Sequence, residues 1–129
     1  MFQTNVFDYI NVLDKAADAS ALRNEVIANN IANVDTPGYK RKDVSFEHEL
    51  HRALGMNKYE TMDSKVENIK SNDLKARVYT DIKGFSYRYD ENSVDIDAEA
   101  TYLAENQIKY EGLMNSLTEE FKNLKTVMK

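Results

Sequence analysis

The chain of 129 residues contains no cysteine and no tryptophan, a single proline and four glycines. Each absence closes a class of function. Without cysteine there is neither a disulfide scaffold nor a thiolate zinc site, and two histidines supply a histidine-rich metal site poorly. No run of about 18 apolar residues occurs, so no transmembrane segment is expected. The net charge is −5 with mixed signs, which does not suit nucleic acid, whose binders present a basic face. The first residues lack a basic region, and Asp8 and Asp14 interrupt any apolar stretch, so they do not read as a cleaved secretory signal. Glycine and proline are the main breakers of regular structure. Their scarcity points to long uninterrupted helices.

What is present is apolar periodicity at both ends. Val6, Ile10, Leu13, Ala17, Ser20, Asn24, Ile27, Ile31 and Val34 follow alternating steps of four and three, an a/d seam. The seam is apolar at its ends and small or polar in its middle. A helix over residues 1–34 is expected. Leu103, Tyr110, Leu113, Leu117, Leu124 and Val127 mark a second seam, with Ile96 at its start and Phe121 beside it, and predict a helix over 95–128. Asp95 suits its N-cap and Asp97 and Glu99 its first turn, while Lys122, Lys125 and Lys129 complement its far end. Each helix would be about 45 Å long at about 1.5 Å per residue. The expected class is mainly α, one domain over 1–129, with a short helix and a small β-hairpin between the long helices. Each long helix buries one stripe against the other, and the remaining faces ask for further partners.

Between them, residues 35–42 carry turn chemistry. Pro37 pushes Thr36 out of the helical region. Pro37-Gly38 suits the central pair of a type II turn, where glycine accepts a positive φ. Asn33 and Asp35 can bond nearby backbone. A short helix is expected over 43–54, capped by Asp43 and ended by Gly55. Residues 56–90 form an insert. Its first part, 56–75, is polar, weakly patterned and the best candidate for a mobile stretch. Near 76–90, Val78 and Thr80, then Phe85, Tyr87 and Tyr89, alternate in the manner of a hairpin, with the tyrosines as packing residues.

No catalytic constellation emerges, and no enzyme activity is expected. His48 and His51 fall one residue short of the His-Glu-x-x-His spacing. Asp90–Asp97 fails the calcium-loop pattern at its glycine and its terminal glutamate, and reads as a turn before a capped helix. Ser45, Asp43 and His48 lack a nucleophile elbow. The glycines are too scattered for a phosphate loop. Lys40-Arg41-Lys42 reads as a solvated corner. No cofactor is implied.

One segment goes further. Ala28-Asn29-Asn30-Ile31-Ala32-Asn33-Val34-Asp35-Thr36-Pro37-Gly38-Tyr39-Lys40 resembles the N-terminal signature of the bacterial flagellar axial proteins, the rod and hook family. Lys42–Leu50, Asn92–Glu99 and Ala104–Tyr110 resemble the proximal-rod members. The chain is too short for the large inserted domains of hook and distal-rod members. The resemblance implies terminal helices paired as an antiparallel-type coiled coil in a structural subunit that stacks helically around a channel. It implies export through the flagellar type III apparatus and a place in the periplasmic part of the basal body. The implied partners are further copies, other rod proteins, the ring–rod adaptor and the membrane ring. Asn29, Asn30, Asn33, Asp35, Thr36, Pro37, Gly38 and Tyr39 become the candidate assembly motif, with the asparagines either capping locally or bonding across subunits. Ile10, Leu13, Ile27, Ile31, Leu103, Tyr110, Leu113, Leu117 and Leu124 become the candidate packing seam. A small helical adaptor or secretion chaperone, gripping a partner helix through its seams, is the alternative. It does not need the Thr-Pro-Gly-Tyr turn.

Overall fold

The computed structural model describes residues 6–55, 58–69, 74–82 and 89–129, with the side chain of Val6 left aside. Two long helices dominate: α1, Val6–Ala32, and α4, Ile96–Val127. Between them lie strand β1 (Lys42–Ser45), helix α2 (Glu47–Leu54), helix α3 (Met62–Glu67) and strand β2 (Arg77–Thr80). No helix among the described residues is long and apolar enough to cross a membrane.

α1 and α4 run antiparallel. Asn30 meets Glu99, Ser20 meets Asn106, and Ile10 packs in one cluster with Leu117. α1 stops where the sequence changes character, at Asn33 before Thr36-Pro37. α4 starts at the Asp95 N-cap, whose carboxylate accepts from the backbone N–H of Asp97 and Ala98 and so satisfies donors that lack intrahelical partners. The packing has two apolar centres. Ile10, Ala17 and Leu117 form the first, flanked by half-buried Leu13, Tyr110, Leu113 and Leu124. Ala19, Phe46 and Leu74 form the second, on another face of α1. α1 is therefore covered on two sides, while α4 buries a single stripe against α1.

The middle of the chain differs from expectation, or adds to it, in four places. The helix expected over 43–54 begins only at Glu47. Asp43, Val44 and Ser45 belong to β1, and Phe46, not Asp43, stands at the helix N-cap. The reason is tertiary. β1 pairs antiparallel with β2 in the register Lys42↔Thr80 to Ser45↔Arg77. On its other edge, Asn30 of α1 holds both backbone groups of Lys42, and Arg23 donates to the Val44 carbonyl. Second, β2 takes β1, about 35 residues upstream, as its partner among the described residues, where a local hairpin was expected. The rest of that hairpin, through residues 83–88, Tyr87 included, lies outside the described residues. Third, Tyr89, expected to pack, stands fully exposed in a turn. Fourth, the described parts of the polar stretch 56–75, residues 58–69 and 74–75, carry buried anchors. Val66 of α3 and Leu74 are 4% and 2% exposed, Thr61 caps α3, and the Tyr9 hydroxyl donates to Asp63 at 2.6 Å. A buried apolar side chain can anchor a short stretch whose average composition is polar.

Candidate functional site

The site is a polar clasp where the C-terminal end of α1, the turn after it and the start of α4 converge. Its frame is the turn itself. The Tyr39 N–H donates to the Thr36 carbonyl at 3.2 Å, closing a turn with Pro37 and Gly38 at its centre. Gly38 has φ +71°, the left-handed value that a type II turn requires at that position. Asp35 and Pro37 are exposed on the outside of the turn.

The helix end has no glycine cap, so its last carbonyls need other donors. Asn33 supplies one locally: its amide donates to the Asn29 carbonyl at 2.7 Å, and its own amide oxygen accepts from the Thr36 hydroxyl. Asn92 supplies the others from across the fold. Its amide nitrogen lies within 2.9 Å of three carbonyl oxygens, those of Asn33, Val34 and Thr36. Asn92 is itself 1% exposed, and its side-chain oxygen accepts from the Val94 N–H. Backbone bonds from Gly38 to Asp90 and from Ser93 to Tyr39 complete the join. The turn is thus sewn to the segment that leads into α4.

Asn30 is fully buried and sits at the centre. Its amide nitrogen donates to the Lys42 carbonyl and to Glu99, while its oxygen accepts from the Lys42 N–H and the Tyr39 hydroxyl. Of the candidate asparagines, Asn33 therefore caps locally, and Asn30 works across the fold within one chain. Asn29 is exposed and contributes its carbonyl.

Beside Asn30, the Arg41 guanidinium contacts the Glu99 carboxylate at 2.6 Å and Asp81 at 2.7 Å, and lies 5.3 Å from the centre of the Tyr102 ring. Glu99 is 1% exposed. Burying a carboxylate is costly unless it is paired and hydrogen-bonded, and Arg41 with Asn30 meets that condition. The basic triplet 40–42 is thus not a solvated corner at Arg41. It is an internal ion pair there, and Lys40 donates to the Glu91 carbonyl. Burial, with the Glu99 charge adding to it, raises the Tyr39 hydroxyl above its ordinary value, so it stays protonated as a donor.

A second polar layer lies further along the helix pair. The Ser20 hydroxyl donates to the Asn106 amide oxygen at 2.9 Å, and the Asn106 amide donates to the Ser20 carbonyl and to Asn24, both at 2.8 Å. This layer fills the thin middle of the α1 seam. Alongside, Arg23 grips Glu47 with both terminal nitrogens, and Lys109 of α4 reaches the same carboxylate. No buried side-chain polar atom among the described residues lacks a partner.

The candidate seam residues differ in burial. Ile10, Ile27 and Leu117 are buried, and Leu13, Ile31, Leu103, Tyr110, Leu113 and Leu124 are half-buried. Sequence reasoning missed Glu99, Asn106, Asn92 and Arg41. A signal existed for two of them. Counting back from Tyr110 by four, three and four gives Asn106, Leu103 and Glu99, so both polar residues occupy seam positions. His48 and His51 are exposed, and among the described residues no group of three His, Cys, Asp or Glu could hold a metal ion.

Paired terminal helices locked by an Asn-rich turn are the architecture of a structural helix-hairpin protein. Comparison with known proteins agrees. Residues 10–40 match the family model described as flagella basal body rod protein, and the chain belongs to the flagellar basal-body rod proteins. Within them it belongs with FlgB. It is 36% identical to the flagellar basal body rod protein FlgB of Bacillus subtilis, with 92% of each chain covered. It is 37% identical to FlgB of Borrelia hermsii over 97% of this chain and 99% of that one. It is 32% identical to FlgB of Salmonella typhimurium over 88% of each. The adaptor or chaperone alternative falls with this membership.

Proposed function

We propose that the chain is a subunit of the proximal rod that polymerises helically with other rod proteins into the drive shaft carrying torque across the periplasm. It reaches that place through the flagellar type III apparatus and meets the ring–rod adaptor and the membrane ring at the base. The candidate assembly motif, residues 29–39, holds the helix pair in one shape so that every copy presents the same faces. The observation that carries the reading is the pairing of a stiff, internally locked helix hairpin with an apolar outer surface. Ile108 of α4 is 73% exposed, Phe121 57% and Met114 40%. A lone domain gains nothing from such exposure, whereas a subunit covered by neighbours does. Repeating contacts between unlike faces build an open helix.

The test is a flagellated strain lacking this chain, complemented with a tagged full-length copy. The expected result is no rod or hook without it, and the tagged chain in isolated basal bodies with it. A complete rod built in its absence overturns the reading.

A further inference from the structure

On one side of the helix pair lies an open groove of about 500 Å³. Its floor is apolar, made by Ala17 and Ala21 of α1 with Met114, Leu117 and Phe121 of α4. Asp14 and Asp18 of α1 stand on its rim. Both are exposed, and neither makes an ion pair among the described residues.

The last turn of α4, with its C-cap Met128 and the following Lys129, has the complementary chemistry. Val127 and Met128 are 85% and 84% exposed, and Lys125 and Lys129 flank them. Phe121, Lys125 and Met128 follow the i, i+4, i+7 spacing of one helix face. The apolar pair matches the groove floor and the lysines match the aspartate rim. A helix cannot fold back onto a groove that its own Phe121 lines, so the last turn that fits there comes from another molecule.

We infer that the last turn of α4 from a second copy of this chain docks in the α1–α4 groove, with Met128 and Val127 on the apolar floor and Lys125 and Lys129 against Asp14 and Asp18. Groove and tail are different surfaces, so the contact is heterologous. Each row of copies keeps a free groove at one end and a free tail at the other, which propagates instead of closing. The inference rests on the rod reading and names one of its contacts. Charge across such a rim sets orientation and excludes wrong partners.

The cysteine-free chain allows a direct test. Two full-length variants, Ala21→Cys and Met128→Cys, are co-expressed in a strain lacking the native copy, and isolated basal bodies are oxidised. The expected product is a mixed disulfide between the two variants. Adding Asp14→Lys and Asp18→Lys to the first lowers its yield at least tenfold, and adding Lys125→Glu and Lys129→Glu to the second restores it. Both variants present in basal bodies without the mixed disulfide overturn the inference and leave the rod reading standing. So does a disulfide joining Ala21→Cys copies to each other, which marks a closed symmetric pair, or one joining Ala21→Cys to a different protein. Absence of both variants from basal bodies overturns the rod reading and the inference with it.

Discussion

The two ends of the α1–α4 pair are held by different chemistry. Where Ile10 and Ala17 meet Leu113, Leu117 and Leu124, the contact is apolar. From Ser20 to the turn, the same two helices meet through Asn106 and then through Asn30 and Glu99, with Arg41 after the turn and Asn92 ahead of α4 completing the join. Apolar contact is strong but tolerant of sliding, because burial is roughly proportional to area and carries little direction. Buried hydrogen bonds are directional and costly when mismatched, and a single polar seam position is the best-attested way to specify register. The apolar end therefore supplies attraction and the polar end supplies alignment. A subunit whose outer faces must match those of its neighbours needs both.

The largest test of this contrast removes the buried charge. Glu99→Ala leaves Arg41 short of its closest carboxylate and Asn30 short of an acceptor, and breaking a buried pair from one side costs about 3–5 kcal/mol. Asp81 and Asp43 still face Arg41, so the expected loss is at the lower end, about 3 kcal/mol by urea unfolding. A loss under about 1 kcal/mol would mean that the clasp aligns the helices without stabilising them. At the opposite end, Leu117→Ala opens a cavity in the first apolar centre. Truncating a buried leucine to alanine costs about 2–5 kcal/mol, and the half-buried neighbours Leu113 and Leu124 can relax into the space, so about 2–3 kcal/mol is expected. If Leu117→Ala costs more than Glu99→Ala, the ranking of the two ends is reversed.

Gly38 tests the turn that frames the clasp. A Cβ there would meet no atom within 4 Å, so the cost of a substitution comes from φ alone. Gly38→Val should lose about 1–2 kcal/mol, the usual penalty of the left-handed region, while Gly38→Asn, whose side chain tolerates that region, should stay close to the parent. Equal melting temperatures for the valine and asparagine variants would remove the argument from backbone conformation. The polar layer at Ser20 offers a sharper test. Ser20→Ala with Asn106→Leu replaces it by apolar contact, and such exchanges are often neutral or stabilising. Stability is expected to change by no more than about 1 kcal/mol. Spin labels at Asp18→Cys and Glu111→Cys, one narrow distance in the parent background, should show a second population once the layer is apolar. A single unchanged distance would mean that Asn106 does not set register.

Much of the fold is legible in the sequence because its signals are local. The Asp95 cap, the positive φ at Gly38 and the lengths of α1 and α4 follow from residues within a few positions of each other. What escapes is non-local. Asp43-Val44-Ser45 can begin a helix by its own chemistry, and becomes strand because residues 77–80 and the side chains of Asn30 and Arg23 meet it there. Leu74 has polar neighbours on both sides, Asp73 and Lys75, and the meeting with Ala19 and Phe46 makes it core. Arg41 looks solvated between Lys40 and Lys42, although its partners lie at 81 and 99. Glu99 and Asn106 are in plain view at seam spacing, but a seam read for apolar residues alone passes over its polar members.

The smallest expected effect lies on the rim of the polar end. The hydrogen bond from Arg23 holds the Glu47 carboxyl well below the ordinary carboxylate range; burial opposes this, and Lys109 adds to the lowering. In the unfolded chain the group takes up its proton near the ordinary value of 4.5, while in the folded chain it stays ionised to lower pH. Its contribution is therefore fully present above about pH 5 and is lost as pH falls from about 4.5 through the folded value. The Glu47 side chain is 51% exposed, so solvent screening keeps that contribution to about 1 kcal/mol or less. Thermal melts of the parent and Glu47→Gln should differ by a constant amount between pH 7 and 5 and converge below about 4.5. Curves that stay parallel down to pH 3 would show that this carboxylate does not link folding to pH, and that the alignment of the helix pair rests on the buried layers alone.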